Sequence, residues 1–206
     1  MVIMLFAHVG ALNNGFHYDD MHSVVDNPHL RSLANPTAFF TDTSTFSARP
    51  ERAMFRPLVV LSYAVTYAFA GLAPWAHLVV NCLAHFVVTI AVYGVASTLG
   101  LPWAAAAGAS LLFAVHPVNS EVANYVSSRS ESFAAAGMLF SLWAYLRWRI
   151  SGGVYLYVIA LAAFGLALIS KATAIALPAM LVVAEVWLPG RRRLSRVVLQ
   201  LAPFVA

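Results

Sequence analysis

The sequence has few charged residues for its length. Of its 206 residues, 10% are Asp, Glu, Lys or Arg and 61% are hydrophobic, and the mean hydropathy is +0.78. A soluble domain carries about 25% charged residues. Between Pro57 and Ser120 there is no Asp, Glu, Lys or Arg at all. This composition excludes an ordinary soluble domain and predicts an all-α polytopic membrane protein.

The sequence also lacks the patterns that most metal and nucleotide sites need. Its one cysteine, Cys82, lies in an apolar run, which excludes a disulfide framework and a thiolate metal site. There is no His-Glu-x-x-His pattern for zinc and no Gly-rich loop for the phosphates of a nucleotide. We therefore expect no cofactor and no resident metal, although the histidines leave binding of a divalent ion open.

The excess of positive charge is small and local. The formal net charge is +4, and four of the twelve basic residues lie in Arg191-Arg192-Arg193-Leu194-Ser195-Arg196. Short basic runs beside apolar helices mark the cytoplasmic side of a membrane. We interpret this run as a cytoplasmic loop rather than as a nucleic-acid-binding surface.

Both ends of the sequence resemble parts of longer apolar segments. Met1–Leu12 would form about 18 Å of helix, against a hydrocarbon core of about 30 Å, and it lacks the features of a secretory signal. We expect it to be the remnant of a first spanning helix, and Val197–Ala206 to begin another. The prediction is one transmembrane domain over 1–206, a fragment of a longer protein, with an external loop over 13–76 and spanning helices over 77–206.

Five apolar segments are expected to cross the membrane, separated by glycine and proline. They are His77–Ala96, Pro102–Val115, Ser132–Trp148, Val154–Ser170 and Ala172–Leu188. A further segment, Arg56–Gly71, carries a polar stripe at helical spacing. Such a stripe suits a helix that lies along the membrane interface as well as one that crosses.

Counting the spans back from the basic run assigns a side to each connection. Arg147-Trp148-Arg149 falls on the cytoplasmic side, in agreement with the positive-inside rule. The acidic segment before Arg56–Gly71 is external only if that helix does not cross, so we interpret the helix as interfacial. Nine ionisable residues then meet on the external face: Asp19, Asp20, Arg56, His77, His116, Glu121, Arg129, Glu131 and Lys171.

The segment Phe16–Pro28 holds three carboxylates and two histidines. Ionisable groups are costly at a membrane, so a cluster of them indicates function. For Asp26-Asn27-Pro28 a solvated turn is the simpler interpretation. The adjacent carboxylates of Asp19 and Asp20 repel each other without helping a turn, which favours a functional role.

The loop His116–Glu131 and the isolated Lys171 each have two interpretations. The loop carries Glu121 and Arg129 between two apolar spans, and it is either a solvated connection or a functional loop. Lys171 either extends its ammonium group to lipid headgroups or binds an anionic group such as a lipid phosphate.

Three polar residues, His77, Asn81 and His85, share one face of a predicted span. A lone histidine in such a helix is usually a packing residue with its hydrogen bonds satisfied. Three polar groups on one face, beginning at the external end, favour a supporting role in a site.

Carboxylates and cations at one membrane face suit the transfer of a sugar from a polyprenyl phosphate. A carboxylate can take the proton of an acceptor hydroxyl as that hydroxyl attacks the anomeric carbon. Cations can stabilise the phosphate as negative charge develops on it. The lipid tail of the donor would lie along the apolar spans.

The order of several short blocks resembles the transmembrane half of the O-mannosyltransferases that carry tetratricopeptide repeats. These are membrane-embedded glycosyltransferases of the C-type fold, related to the protein O-mannosyltransferases. The resemblance runs from about Asn13 to Pro178. The blocks are Tyr18-Asp19-Asp20, Arg56-Pro57-Leu58, Gly71-Leu72-Ala73-Pro74-Trp75-Ala76-His77, Asn81, His85, His116-Pro117-Val118, Glu121, Arg129 and Lys171.

The resemblance implies a C-type helical bundle whose external first loop carries the catalytic motif and an interfacial helix. It implies that Asp19 is the catalytic base, with Asp20 and His22 beside it, and that Arg129 and Lys171 face the donor phosphate. The other donor-binding candidates are Arg56, His77, His116 and Glu121, with Asn81 and His85 as support.

The implied function is the transfer of mannose or another hexose from a polyprenyl or dolichyl phosphate to a hydroxyl, with protein Ser/Thr as the expected acceptor. The implied partners are that donor, membrane lipid and the acceptor, without nucleic acid. The implied location is the bacterial inner membrane or the endoplasmic reticulum, with the active face external or lumenal. A lipid or lipopolysaccharide acceptor stays open, as does a transporter or scaffold without catalysis, although transporters place ionisable groups near the bilayer midplane.

Overall fold

The structure, a computed structural model, describes residues 7–187 and 194–205. Within these ranges the chain forms helices and turns and no β-strand, which confirms the all-α prediction for that part. The longer helices are α1 (Pro57–Ala70), α2 (Pro74–Thr98), α3 (Trp103–Val115), α4 (Arg129–Ser151), α5 (Val154–Leu168), α6 (Leu177–Trp187) and α7 (Leu194–Leu201). Short helical turns lie at Val9–Asn13, Met21–Val25, Pro28–Arg31, Ala38–Thr41, Thr43–Phe46, Pro50–Arg52, Pro117–Asn119, Ser120–Asn124, Val126–Ser128, Ala172–Ala176 and Ala202–Phe204.

Helices α1 and α2 each begin with a proline, Pro57 and Pro74. Proline suits the first turn because its missing N–H group would have no partner there. Gly71 ends α1 with φ at +58°, a backbone conformation that glycine adopts without steric cost. The observed helix α1 confirms the helix predicted over Arg56–Gly71.

Two predicted helices differ from the structure. The span predicted over Ala172–Leu188 begins instead as a 3-10 turn, and α6 starts only at Leu177. Pro178 explains the change, since its ring disfavours a continuous helix through the preceding turn. In the leader predicted as a helix remnant, residues 9–13 form a 3-10 turn; residues 1–6, like 191–193 of the basic run, lie outside the described residues.

One described helix, α2, is long and apolar enough to cross a membrane by length and composition. The other apolar helices of the described part are shorter; α3, for example, has 13 residues, which rise about 20 Å against a hydrocarbon core of about 30 Å. The predicted multi-pass arrangement therefore stays a prediction.

The helical core is built around α4, which packs against α2 on one side and α5 on the other. The two helices α4 and α5 approach closely at Gly137, where an added Cβ would lie 2.7 Å from the Cβ of Ala167 and 2.8 Å from the carbonyl oxygen of Ala163. Only glycine fits at this distance without a shift of one helix.

The segment before α1, residues 13–56, folds onto α1 through an apolar cluster. Val24, Leu30, Phe39 and Phe46 are buried in it together with residues of α1, α2 and the turn before α4. Asn27 fixes the turn beside this cluster, because its amide donates to the carbonyl oxygens of Ser23 (3.1 Å) and Thr45 (3.0 Å) and accepts from the amide of His29 (3.1 Å). The loop is a packed structure that presents its acidic residues in fixed positions.

Candidate active site

A cavity of about 220 Å³ lies between the segment before α1 and the start of α4. Its walls come from four parts of the chain: the acidic segment, the stretch before α1, the loop before α4 and the start of the turn before α6. The lining residues are Asp19, His22, Phe46, Arg52, Met54, Arg56, Glu121, Tyr125, Ser127, Ser128, Ser130, Glu131 and Lys171.

Asp19 presents a half-exposed carboxylate to this cavity. Its Oδ1 accepts a hydrogen bond from Nη1 of Arg52 at 2.7 Å and lies 3.3 Å from Nε2 of His22. The other ring nitrogen of His22 lies 2.9 Å from Oγ of Ser47, and the Asp19 amide donates to the hydroxyl oxygen of Tyr125 at 2.9 Å. Both side-chain contacts fall on Oδ1, so among the described residues Oδ2 is left for a ligand.

Asp20 has the opposite environment although it is the next residue. Its side chain is 0% exposed and accepts from the amide (2.7 Å) and hydroxyl (2.5 Å) of Ser127 and from the amide of His17 (3.1 Å). Burial raises the pKa of Asp20 above its ordinary value, and these hydrogen bonds oppose the rise. Asp20 thus fastens the acidic segment to the loop before α4 and does not line the cavity.

The different directions of these two carboxylates depend on Tyr18. Its φ is +44°, a left-handed conformation that is uncommon for residues other than glycine and is found at strained functional positions. The amide of Asp20 donates to the carbonyl oxygen of His17 at 2.9 Å and closes the turn. The strained turn buries Asp20 while Asp19 stays at the cavity.

Three cations line the cavity. Arg52 pairs with Asp19, and Lys171 pairs with Glu131. Arg56 donates to Oγ of Ser130 at 3.1 Å and lies over the ring of Phe46, but in the described part of the chain it forms no ion pair. Partial burial lowers the pKa of both Arg56 and Lys171, and for Lys171 the nearby charge of Arg56 adds to the effect.

Arg129 is fully buried and lies outside the cavity lining. Its guanidinium donates to Oδ1 of Asn81 (2.9 Å), to the carbonyl oxygen of His77 (2.8 Å) and to Oγ of Ser62 (3.1 Å), and it lies 4.6 Å from the ring centre of Tyr63. Its donors therefore join α1, α2 and α4. This position differs from the one expected for a residue that faces a donor phosphate.

The predicted histidines other than His22 also lie outside the cavity. His77 is buried with Nε2 3.3 Å from the carbonyl oxygen of Gly71, and His85 contacts the carbonyl oxygen of Ala114 at 3.0 Å. His116 is exposed, and its Nδ1 accepts from the amide of Val118 at 3.2 Å, so it caps a short turn. Asn81 donates to the carbonyl oxygen of Tyr125 at 2.8 Å and thereby supports the wall of the cavity from behind.

The structure therefore brings five of the predicted site residues into one cavity. They are Asp19, His22, Arg56, Glu121 and Lys171. Sequence reasoning did not select Arg52 or Tyr125, and it placed Glu131 on the same face without a role. Arg52 carries no periodic or motif signal, because it ends a three-residue 3-10 turn (Pro50–Arg52) that is too short to show a pattern.

The arrangement can hold an anionic group beside a carboxylate base. The side chains of Arg56 and Lys171 can bind phosphate oxygens, and Oδ2 of Asp19 can accept a proton from a hydroxyl held between them. Among the described residues, no three His, Cys, Asp or Glu side chains are grouped as ligands for a metal ion.

Sequence comparison finds relatives among curated proteins. The chain is 35% identical over 156 residues to protein O-mannosyl-transferase Tmtc2 of Drosophila melanogaster, a match that covers 70% of this chain and 16% of that protein. It is 32% identical over 136 residues to protein O-mannosyl-transferase TMTC3 of Homo sapiens, covering 65% of this chain and 15% of that protein. The match to human TMTC2 is 29% identical over 149 residues and covers 69% of this chain and 18% of that protein.

The chain thus spans less than a fifth of the length of these relatives. No family model matches it, and no solved structure matches it. The matched region is long enough to contain the acidic segment, α1, α2 and the loop before α4 together.

Proposed function

The chain is related to the protein O-mannosyl-transferases, and on this premise we propose that it is a membrane-embedded glycosyltransferase of the C-type fold. The proposed reaction moves mannose or another hexose from a polyprenyl or dolichyl phosphate to a hydroxyl of a protein acceptor, Ser or Thr. The proposed active face is external or lumenal. The observation that carries the proposal is the half-exposed carboxylate of Asp19 in one cavity with Arg56 and Lys171.

In the proposed reaction, the acceptor oxygen forms a bond to the anomeric carbon while the bond from that carbon to the phosphate oxygen breaks. Asp19 takes the hydroxyl proton on Oδ2, since both of its side-chain contacts lie on Oδ1. The phosphate leaves with an additional negative charge. Arg56 and Lys171 stabilise that charge, and such stabilisation commonly lowers the barrier more than any other single contribution.

Residues outside the cavity support the proposed site without contacting the donor phosphate. Arg129 lies too deep to contact a ligand in the cavity, and its hydrogen bonds support the walls instead. Asp20 fixes the turn that orients Asp19. The lipid chain of the donor would lie against exposed apolar residues of the helices, of which Leu111, Leu112 and Val115 on α3 are examples.

The test is sugar transfer from a panel of polyprenyl-phosphate sugars to peptide acceptors, by membranes that contain this chain. Asp19→Asn keeps the shape of the side chain but removes the base, and we expect transfer to fall by about 10²- to 10⁴-fold. The matched control is Asp26→Asn, because Asp26 is an exposed residue of the same segment outside the cavity.

Transfer that survives Asp19→Asn would remove Asp19 as the base and contradict the mechanism. Transfer to lipid but not to peptide would replace the acceptor and keep the mechanism. If the unmodified chain transfers sugar from none of the donors, the proposal that this chain is active by itself is contradicted.

A further inference from the structure

The charges that line the cavity are balanced and mostly paired with each other. Three cations (Arg52, Arg56 and Lys171) face three carboxylates (Asp19, Glu121 and Glu131). Two of the cations form ion pairs, Arg52 with Asp19 and Lys171 with Glu131. An anion that enters this cavity must therefore compete with two carboxylates for two of the three cations.

We propose that a bound phosphate exchanges ion-pair partners with these carboxylates. It binds first to Arg56, then takes Arg52 from Asp19 and Lys171 from Glu131, and the departure of Arg52 removes the cation that competes with the acceptor hydroxyl for the Asp19 carboxylate. This inference rests on the proposed function. It adds an order of events: donor first, active base second.

Arg56 is the first contact because it has the least competition. Within the described residues it donates to the hydroxyl of Ser130 and lies over the ring of Phe46; burial lowers its pKa, and the nearby charge of Asp19 opposes this without forming an ion pair with it. A hydroxyl is a weaker partner for a guanidinium than a phosphate oxygen, since hydrogen bonds between two charged groups are the strongest ones. A phosphate can therefore add to Arg56 without displacing a carboxylate.

The two ion pairs are exposed enough to exchange. The side chains of Arg52 and Asp19 are 46% and 53% exposed; in the other pair Glu131 is 48% exposed and Lys171 is 21% exposed. Ion pairs in contact with water contribute little free energy, because water screens the attraction and two flexible side chains must be held. Arginine also binds phosphate through two parallel hydrogen bonds, which favours the phosphate over a single carboxylate oxygen.

Loss of Arg52 frees the Asp19 carboxylate and leaves its position fixed. While Arg52 donates to Oδ1, its guanidinium lies against the carboxylate that the acceptor hydroxyl must approach. His22 lies 3.3 Å from the same oxygen and is held by Ser47 at its other nitrogen. The imidazole and the hydrogen bond from the Asp19 amide to Tyr125 keep the carboxylate in place after Arg52 moves.

The test measures binding of inorganic phosphate and of a short-chain prenyl phosphate to the full chain in lipid nanodiscs. Asp19→Asn frees Arg52, so we expect the affinity for both probes to rise by about two- to fivefold. This factor corresponds to the free energy that an exposed ion pair contributes. Glu121→Gln is the matched control. It removes the same charge from the cavity, but in the described part of the chain Glu121 accepts from the hydroxyl of Ser128 and forms no ion pair, acting on Lys171 only through its charge.

The double variant separates the release of Arg52 from simple charge removal. In an Arg52→Gln background, the gain from Asp19→Asn should fall to the level of Glu121→Gln. In an Arg52→Lys background, which keeps the positive charge, the gain should return in part. A circular dichroism spectrum and a melting curve of each variant confirm that the fold is unchanged.

If Asp19→Asn raises the affinity for phosphate equally with and without Arg52, the exchange of ion-pair partners is overturned. The phosphate site itself would still stand. Phosphate binding that does not weaken in Arg56→Gln would overturn the order, because Arg56 would not be the first contact. If no variant binds either probe, the phosphate site fails, and the proposed function loses its support along with the exchange.

Discussion

Two ion pairs in this chain lie in different environments. Arg52 and Asp19 meet at the cavity with side chains that are 46% and 53% exposed. Arg149 of α4 and Glu185 of α6 meet in the packed core with side chains that are 6% and 5% exposed. The second pair is about 30 Å along α4 from the cavity end of that helix.

The buried pair is also more completely bonded. Arg149 contacts both carboxylate oxygens of Glu185, and the hydroxyl of Tyr145 donates to the same carboxylate at 2.6 Å. A buried charge that loses such partners cannot turn to water. The comparison teaches that the buried pair holds two helices together, whereas the exposed pair contributes little stability and is free to change partners.

The largest effect should follow from breaking the buried pair. Glu185→Ala leaves the guanidinium of Arg149 buried without its carboxylate, and we expect the free energy of unfolding to fall by about 3–5 kcal/mol. Asp19→Asn removes the exposed pair and should cost no more than about 1 kcal/mol. Denaturant titration in detergent, followed by circular dichroism, measures both.

Equal losses in these two variants would contradict the comparison. Sugar transfer provides the opposite readout, since Asp19→Asn should abolish it in a protein that is still folded.

An intermediate loss of stability is expected on substitution of Asp20, the buried carboxylate next to the cavity. Asp20→Asn replaces one acceptor oxygen by a donor that faces the amide and hydroxyl of Ser127. We expect a loss of about 1–3 kcal/mol in the free energy of unfolding, the cost of buried polar groups that lose their partners. The exposed Asp26→Asn is the control and should unfold like the unmodified chain.

The smallest effect is the pH dependence that Asp20 contributes. Because burial raises the pKa of Asp20 above the ordinary value of 3.8, the folded chain holds this proton more tightly than the unfolded chain. Its contribution to stability is therefore fully present below the unfolded pKa and is lost as the pH rises through the folded pKa. The free energy of unfolding is measured for the unmodified chain and for Asp20→Asn between about pH 3 and pH 7. The value for the unmodified chain minus the value for Asp20→Asn should decrease as the pH rises. A difference that increases would contradict it.

Most of the helical fold could be predicted from local sequence. Pro57, Pro74 and Gly71 mark helix ends because each fits a terminal backbone conformation, and the apolar runs between such signals became α1 to α5. The 3-10 turn at Ala172–Ala176 was missed because its residues are as apolar as a helix. Only the position of Pro178, at the start of α6, carried a signal against a continuous span.

The site was predictable only in part. Asp19, Glu121 and Lys171 could be grouped because charges are rare in this chain and each lies at the end of an apolar segment. Arg129 met the same criterion but lies buried among Asn81, Ser62 and Tyr63. No sequence pattern distinguishes an arginine that binds a ligand from one that joins three helices, because the difference depends on tertiary packing.

The left-handed turn at Tyr18 fixes the length of the segment around it. Side chains of successive residues point in different directions, so one inserted residue between His17 and Asp20 would move a different side chain onto Ser127 and turn Asp19 away from the cavity. The run 32–37 of the same loop is exposed throughout, and its side-chain hydrogen bonds among the described residues are local ones. Variation in chain length is therefore acceptable at one end of this loop and excluded at the other.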